Sequence, residues 1–409
     1  MGLPASLARD ISPPRPSKRR RTSEADIRSP NSKPNVHSDA TPTVAKALPA
    51  LAAVEAGKVK IDDHLTYFRS HLVKSSRNTP LDVSRLSTDD FSALYQSNAN
   101  PYGHHFVVHQ HNHPIAGVHY DLRLQFSETS SMSFALPKGL PGDPNSRSIG
   151  RMAIETRVHN YWNHLIESAS RKTGSLIIWD TGTYSILPRR KSKNGMPSLQ
   201  TTDDDETEDG EAANEGSEVE GGECQESSKL VAAFKTRYTR LRLNGTRLPH
   251  NYTVTLRLPS NEIVKNPTAR RRRGRSQRSS ARRTPATSSD EASVADASVH
   301  EEVADQDLDT DTEEDDQTRT TNAYPGSTND IGSVHQRRWF LQLDRQSSGF
   351  SPDASSRGRG KWTGGFNSFL VRGRDHERSV VTGRLAQDVE SEEGVEDFVG
   401  RGGWTGIEH

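Results

Sequence analysis

The hydrophobic and polar positions between residues 58 and 345 predict a few short helices followed by a long series of short strands. Within 58–74, four apolar residues recur three or four positions apart, as they do on one face of a helix: Ile61, Leu65, Phe68 and Leu72. A second short helix is predicted over 89–95. Helix is therefore expected mainly before the strands begin.

From Phe106 onward the pattern is that of strands separated by Gly, Pro and Asn turns. Alternating apolar positions predict strands at 106–110, 118–126, 131–136, 151–156, 175–180, 183–187, 229–235, 238–243, 252–258 and 338–343. Thr181 and Gly182 stand between two of these strands as a two-residue hairpin turn. So many short strands with so little helix predict a mostly β fold, an antiparallel barrel or sandwich.

The composition leaves room for only one folded domain in a chain of 409 residues. Only 31% of the residues are hydrophobic, 26% are charged, and the mean hydropathy is -0.84, so much of the chain cannot bury a core. We predict one domain over 58–345, interrupted by disordered insertions at 189–228 and 260–335. A disordered tail is predicted at 1–57 and a largely disordered Gly/Arg-rich tail at 346–409.

Charged residues are segregated into blocks, although the whole chain carries 54 acidic and 54 basic residues. Residues 203–226 hold twelve acids and no base, 270–283 hold eight arginines and no acid, and 290–316 hold thirteen acids and no base. The arginine block begins with four consecutive arginines: Arg270, Arg271, Arg272 and Arg273. This block is either an electrostatic arm for nucleic acid or a linker that its acidic neighbour neutralises.

Three features indicate where the protein works. A compact basic cluster in the Pro/Ser-rich N-terminal tail, at 18–21, predicts a nuclear import signal. The sequence has no run of eighteen apolar residues, so no membrane span is expected. Cys224 is the single cysteine, which excludes an internal disulfide and fits a reducing compartment. We therefore expect a nuclear protein.

Histidine, aspartate and arginine are concentrated in the first two predicted strands. Because alternate side chains of a strand share a face, His119, Asp121 and Arg123 lie on one side of the second strand. The preceding strand can add a second imidazole, from His111 or His113. Two imidazoles and a carboxylate are a common ligand set for a divalent transition metal with open coordination positions. The alternative is a polar barrel exterior with scattered histidines.

Further basic residues follow these strands. Lys138 lies in a Pro-Lys-Gly turn, and Arg151 and His159 come after it. If they converge with Arg123, the pocket combines a metal with several positive groups, which suits a phosphate ester because charge builds up in its transition state. Taken alone, Lys138 is an ordinary surface lysine.

Five motifs occur in an order that resembles the 3′-phosphoesterase domain of bacterial DNA ligase D and its stand-alone archaeal and fungal relatives. They are Phe-Val-Val-His at 106–109, His-Tyr-Asp-Leu-Arg-Leu at 119–124, Phe-Ala-Leu-Pro-Lys-Gly at 134–139, an arginine eight residues before a histidine at 151–159, and Trp-Asp-Thr-Gly-Thr-Tyr at 179–184. Residues 240–258 and 339–343 are similar to later strands of that family. The resemblance covers most of the predicted domain outside the insertions.

The resemblance implies a compact β-barrel with a manganese-dependent site that acts in DNA repair. Such a site removes a 3′-phosphate or a 3′-terminal ribonucleotide and leaves a 3′-hydroxyl, so the implied partners are DNA or RNA-tipped DNA 3′ ends. The chain has no nucleotidyl-transfer Lys-x-Asp-Gly motif. A separate DNA ligase is therefore expected to receive the trimmed ends.

The resemblance also implies roles for individual side chains. It makes His119 and Asp121 metal ligands, and it makes Arg123 and His159 phosphate contacts. Two further positions match basic residues that the family uses at the scissile phosphate: Lys138 and Arg151.

Two departures from the family pattern concern the site. The loop between the first two strands is two residues longer, so counting from Phe-Val-Val gives His111 as the first ligand and counting from His-Tyr-Asp gives His113. Insertions fall more easily in a turn than in a strand, which favours His111. In the second departure, Asn163 stands where the family has a tyrosine, and the nearest tyrosine is Tyr161.

Two other functions fit parts of the same sequence. His119, Asp121 and His159 also fit the facial triad of a non-haem iron(II) oxygenase, with Arg171 available for an oxo-acid co-substrate. A catalytically silent DNA-binding adaptor would use the barrel as a scaffold and the arginine block as its grip. The phosphoesterase hypothesis is preferred because it alone gives roles to Lys138 and to the Trp-Asp-Thr-Gly-Thr-Tyr motif.

Overall fold

The structure is a computed structural model that describes residues 51–55, 59–80, 83–190, 225–260, 318, 320–353, 360–395 and 404–407. The basic cluster at 18–21 and the arginine block at 270–283 lie outside the described residues, as do most of the two acidic blocks. The nuclear import signal and the electrostatic arm therefore stay predictions. No described helix is long and apolar enough to cross a membrane.

The strands in the described part of the chain are β1 His105–His113, β2 Gly117–Gln125, β3 Ser130–Leu136, β4 Gly150–Glu155, β5 His159–Asn160, β6 Ser168–Ser170, β7 Gly174–Leu187, β8 Tyr238–Gly245, β9 Thr253–Arg257, β10 Arg338–Leu343, β11 Phe350–Pro352 and β12 Trp362–Gly364. Eight of these strands are antiparallel and close a single barrel, in the order β1-β2-β3-β4-β10-β9-β8-β7, with β7 pairing back to β1. The mostly β fold and the antiparallel barrel are thus confirmed.

The barrel interior is filled by side chains from one face of every barrel strand. Large aromatic residues contribute much of it, including Tyr120, Phe134, Trp179 and Trp339, each at most 1% exposed. Truncating a buried aromatic of this size costs about 3–5 kcal/mol, so the interior holds the fold together. Because Tyr120 and its alternate neighbours point inward, the residues between them on β2 point outward.

Three N-terminal helices cover the outer face of β1 and β7: α1 (Leu51–Glu55), α2 (His64–Ser75) and α3 (Thr88–Asn98). The helix predicted over 58–74 starts later because Asp63 caps it, its carboxylate accepting a hydrogen bond from Thr66 N at 2.9 Å. The apolar faces of α2 and α3 pack on outward-facing barrel residues such as Val107 and form a second core.

The strand predicted over 229–235 is wrong, because this segment is the helix α4 (Glu226–Lys235). Leu230 and Phe234 are four positions apart and both pack into the barrel core, which is helical spacing. The short apolar run around them also reads as a strand, and a run of this length does not separate the two by period.

The hairpin predicted at Thr181 and Gly182 is also wrong, since both lie inside the continuous 14-residue strand β7. Gly182 is required by close packing and not by a turn, because a Cβ there would lie 2.0 Å from Asn244 O. The neighbouring Asp180 accepts hydrogen bonds from three backbone amides of residues 246–248 at 2.8–3.0 Å. This motif therefore fixes the β8–β9 connection.

The prediction of a largely disordered tail at 346–409 is wrong for its described residues, which pack on the barrel. The helix α5 (Ala386–Glu392) lies against β6 and β7. Val380 is fully buried beneath the N-terminal helices. Arg384 and Glu167 form an ion pair at 2.8 Å, with side chains only 3% and 0% exposed. Composition indicates an unfolded segment because its few apolar residues are spaced among many charged ones. The ion pairs that these charges form are seen only in the fold.

The second insertion ends earlier than predicted, since residues 320–335 are described and pack on the barrel. Ala323 and Ile331 join the barrel core, and Ala323 forms a bridge with Val158. Only these two residues of the segment join the barrel core. Two apolar residues are too weak a pattern for composition to indicate a folded segment.

Candidate active site

The predicted histidine-rich site lies on the outer face of β1 and β2. His111 on β1 is directly opposite His119 on β2, and His109 is directly opposite Asp121. One ligand atom from each of His111, His119 and Asp121 lies within 4.8 Å of the other two. It is the single group of three or more potential ligands of this kind in the described part of the chain.

Hydrogen bonds to backbone carbonyls fix which nitrogen of each ring carries hydrogen. His111 Nε2 donates to Thr173 O at 2.8 Å, and His119 Nδ1 donates to Gly117 O at 2.9 Å, since a carbonyl can only accept. In the neutral rings the other nitrogens carry lone pairs, and these face Asp121 at 3.2 and 3.3 Å. Two lone pairs aimed at one carboxylate repel unless a cation lies between them, so the residues present fit a metal ion.

Electrostatic interactions favour the ionised form of Asp121, although only 6% of this residue is exposed. Burial alone would raise the pKa of its carboxyl group, but interaction with His119 and His111 outweighs burial and holds that pKa well below its usual range. The same carboxylate overcomes the effect of burial on His119 and raises the pKa of that imidazole. An ionised carboxylate beside two imidazoles therefore attracts a cation to this position.

His113 is not part of this group. Its Nδ1 accepts hydrogen bonds from Ile115 N and Ala116 N at 3.2 and 3.1 Å and so closes the β1–β2 turn. Burial, and then the neighbouring His111 and His119, lower the pKa of His113 to about 4. The structure therefore brings His111, and not His113, together with His119 and Asp121.

Arg123 lies beside the carboxylate, and His159 lies on the same outer face. Arg123 Nη2 is 3.6 Å from Asp121 Oδ2, and Nη1 donates to Asn163 O at 3.4 Å. His159 pairs with Ser131 on β3, which places its side chain on the same outer face. Burial, followed by the positive charge of Arg123, keeps the pKa of His159 well below its usual range. A neutral imidazole and a guanidinium thus border the metal group.

The expected convergence of Lys138 and Arg151 with Arg123 is not found. Arg151 is paired with Leu341 of the barrel core, so its side chain points to the inner face. Lys138 Nζ donates to Thr405 O at 3.0 Å. The two basic residues line one shallow cleft with Phe369 and other C-terminal residues. Strand alternation turns Arg151 away from the outer face, and Lys138 follows β3 in a turn that contacts the C-terminal residues. The proposed contact of both residues with a scissile phosphate stays a prediction.

Tyr161 does not take the place of the family tyrosine at Asn163. Its ring stacks on Tyr95 at 4.5 Å, and its hydroxyl donates to Tyr95 O at 3.0 Å. Asn163 itself contributes its backbone oxygen to Arg123. The aromatic ring nearest to His159 is instead that of Tyr324, whose centroid lies 4.8 Å away. Tyr324 was missed because its segment was assigned to an insertion.

Two further histidines near the site were not predicted to belong to it. His109 is 0% exposed, and neither ring nitrogen has a hydrogen-bond partner among the described residues. Its outward position follows from the same alternation that places His111, and that alternation was the signal in the sequence. His164 is also fully buried, with Nδ1 3.2 Å from His105 Nδ1. The contact between His164 and His105 comes from tertiary packing and has no signature in the sequence.

The facial triad considered for an oxygenase would combine His119 and Asp121 with His159. Among the described residues, the group within ligand distance instead contains His111. Arg171, the expected anchor of an oxo-acid, is exposed in the turn between β6 and β7. The geometry thus offers no support for that triad.

Comparison with known proteins identifies the matched region. Residues 109–256 match the family model of the DNA ligase D 3′-phosphoesterase domain. The multifunctional non-homologous end joining protein LigD of Mycobacterium bovis is 30% identical over 128 residues, which cover 30% of this chain and 14% of that protein. The multifunctional non-homologous end joining DNA repair protein LigD of Mycobacterium tuberculosis gives the same values. The region 109–256 therefore resembles the 3′-phosphoesterase domain of DNA ligase D, as its motifs predicted.

Proposed function

We propose that this protein is a metal-dependent phosphoesterase that trims nucleic-acid 3′ ends in DNA repair. It would remove a 3′-phosphate, or a 3′-terminal ribonucleotide and then its phosphate, and leave a 3′-hydroxyl. The observation that supports this most directly is the orientation of His111 and His119, whose lone pairs face Asp121 beside the Arg123 guanidinium. The family match suggests 3′-end processing in repair.

His111, His119 and Asp121 would hold the metal ion. Their mixed nitrogen and oxygen donors suit manganese or a similar transition metal better than magnesium, which prefers oxygen alone. When bound, the ion supplies Lewis acidity, which withdraws charge from a phosphate oxygen and makes water a better nucleophile at neutral pH. The carbonyls of Gly117 and Thr173 keep both imidazoles in the required tautomer.

Arg123 and His159 would act on the phosphate itself. The Arg123 guanidinium offers a fixed fork of donors that offsets the negative charge developing on the phosphate oxygens. His159 is neutral near pH 7 because its pKa lies well below the usual range. A neutral ring can donate one hydrogen bond to a phosphate oxygen, and this suits binding better than protonation of a leaving group.

The natural partners follow from this chemistry as part of the same proposal. The substrate class is a DNA or RNA-tipped DNA end, and the product is a 3′-hydroxyl that a separate DNA ligase can join. Action in the nucleus is proposed from the basic cluster at 18–21.

The test is end-trimming by the purified full chain. Oligonucleotides that carry a 3′-phosphate, a 3′-terminal ribonucleotide or, as a control, a 5′-phosphate are incubated with Mn²⁺ or with a chelator. We expect release of phosphate from the 3′-phosphate end with Mn²⁺, and none from the 5′-phosphate or with the chelator. Absence of phosphate release with every divalent metal tried would contradict the proposal. Turnover of an oxo-acid with Fe²⁺ would support an oxygenase instead.

A further inference from the structure

The outer face that carries the candidate site continues without interruption around the barrel. A register row across five strands joins His109, Asp121, Ala135, Ile154 and Arg338, each paired with the next. Paired residues of antiparallel strands point to the same side. These five side chains therefore lie on one surface, which leads from the metal group on β2 across β3 and β4 to β10.

A second register row lies next to the first and is open to solvent. It runs across β4, β10, β9 and β8 and consists of Met152, Phe340, Arg257 and Tyr238, each paired with the next. We name these four residues the aromatic row. Met152 and Phe340 are 46% and 48% exposed. Two large apolar side chains that are paired side by side on the outer face and are each about half exposed offer a surface that can bind a partner.

Positive charge surrounds the aromatic row. Arg338 and Arg257 are exposed and form no ion pair among the described residues. The Arg189 guanidinium lies over the Tyr238 ring, 5.3 Å from its centroid. On the described strands β4, β9 and β10, every outward-facing side chain is neutral or basic. The described residues of these three strands therefore present apolar and guanidinium groups on the outer face and no carboxylate that would repel an anion.

We propose that the aromatic row binds the single-stranded nucleic acid that leads to the 3′ end in the candidate site, an inference that rests on the proposed function. Exposed aromatic rings on a sheet stack with bases, while flanking arginines contact phosphates. β10 is three strands from β2, or about 15 Å at the usual strand spacing. A single-stranded nucleic acid only a few nucleotides long can span that distance, since grooves on small barrels bind about four or more nucleotides.

The charge distribution favours nucleic acid over a protein partner. Protein interfaces of ordinary composition pair positive groups with negative ones and have cores depleted of charge. Here the aromatic row combines Arg257 with three apolar or aromatic side chains, Arg338 lies on the neighbouring row, and neither arginine has an ion-pair partner among the described residues. The row also leads directly to a site that takes a phosphate in the proposed function.

The test measures binding in the absence of turnover. Fluorescence anisotropy follows a labelled single-stranded DNA with a 3′-hydroxyl, mixed with the full chain in the presence of a chelator. We expect Phe340→Ala to weaken binding about 5- to 100-fold, the effect of losing one base–aromatic stack. Arg257→Ala and Arg338→Ala should each lower the slope of log affinity against log salt by about 0.7.

Matched controls are exposed residues away from the row. Tyr102 is 56% exposed before β1, and Arg147 is exposed in the β3–β4 loop. Tyr102→Ala and Arg147→Ala should leave affinity and salt slope unchanged, and thermal melting checks that every variant folds. Normal DNA affinity in Phe340→Ala overturns the proposal and leaves this face to a protein partner. This binding assay does not depend on turnover. If the parent protein trims no 3′ ends but Phe340→Ala still lowers DNA affinity, the proposed function is contradicted and the DNA-binding surface is not.

Discussion

At the scale of single residues, the candidate site depends on which side-chain atoms the backbone leaves free. Thr173 O and Gly117 O each accept a hydrogen bond from one imidazole, so the opposite ring nitrogen faces Asp121. His113 has the same strand parity as His111, so alternation alone cannot choose between them. Its Nδ1 is used by the turn instead. The sequence could thus predict the face, but the choice of ligand needed the turn geometry.

The two histidines can be separated by single substitutions. His111→Ala removes a ligand and should lower both manganese affinity and phosphate release by at least about 100-fold. His113→Ala removes a turn acceptor and should leave both within a few-fold of the parent, with a small loss of stability. Isothermal titration with Mn²⁺ and a phosphate-release assay read the two effects. The reverse ranking would make His113 the ligand.

The stability of the protein should depend on pH through the buried His105. Its ring nitrogens lie 3.1 Å from Tyr161 Oη and 2.7 Å from Thr181 Oγ1, and burial lowers the pKa of His105 to about 3. An unfolded histidine titrates near pH 6.5, so below that pH the unfolded chain binds a proton that the folded chain excludes. The stabilisation is complete above about pH 6.5 and is lost as pH falls towards 3.

This effect is measurable by comparison with His105→Gln. Between about pH 6 and pH 4, the free energy of unfolding of the parent should fall about 1.4 kcal/mol per pH unit more steeply than that of the variant. Urea titrations at three pH values give both slopes. Parallel slopes would show that His105 does not stay neutral in the fold.

At the scale of elements, the sequence predicts helices and strands whose apolar residues have a strong local period. It misses those whose position depends on contacts with distant parts of the chain. Nearly all barrel strands follow from alternation, and α2 and α3 follow from helical spacing. The helix α4 was read as a strand because its apolar run is short. The helix α5 was missed because its side chains are mostly polar and its position is fixed by charges such as Glu390, which accepts hydrogen bonds from Asn112 and Ser175.

The C-terminal segment should contribute to stability through the Arg384–Glu167 ion pair. Both side chains are buried, and Arg384 also pairs with Glu392 at 2.7 Å, so Glu167→Gln removes one of two charge partners and should cost about 1.5–3 kcal/mol of unfolding free energy. The matched control is Asp89→Asn, which breaks the exposed Arg69–Asp89 pair and should cost at most about 1 kcal/mol. Chemical denaturation compares the two variants. Equal losses would mean that the segment is not packed as described.

At the scale of the whole molecule, the barrel supports a candidate site on its outer face. The interior is mostly apolar, and the candidate metal group and the aromatic row both lie outside it. Composition predicts one folded domain, and this stays a prediction. It could not define the limits of that domain, because residues 320–335 and the C-terminal segment hold few apolar groups and join the fold through scattered contacts.

The acidic insertion should be dispensable for folding. Replacing 191–224 with a flexible glycine-serine linker of the same length should leave the melting temperature within about 2 °C of the parent, because the replaced residues include few apolar groups that could join a core. Extending the replacement through α4 removes Leu230 and Phe234 from the core and should destabilise the barrel by several kcal/mol. A large loss from the first replacement alone would contradict this domain boundary.

We propose that Asp121, with His111 and His119, holds the metal that 3′-phosphate removal needs. The most direct measurement is manganese binding and phosphate release by Asp121→Asn, which keeps the size of the side chain and removes its charge. We expect metal affinity to fall by at least about 100-fold and 3′-phosphate release to become undetectable, while the melting temperature of the metal-free protein changes little. A variant that binds manganese and trims 3′-phosphates like the parent would show that this group of residues is not the metal site.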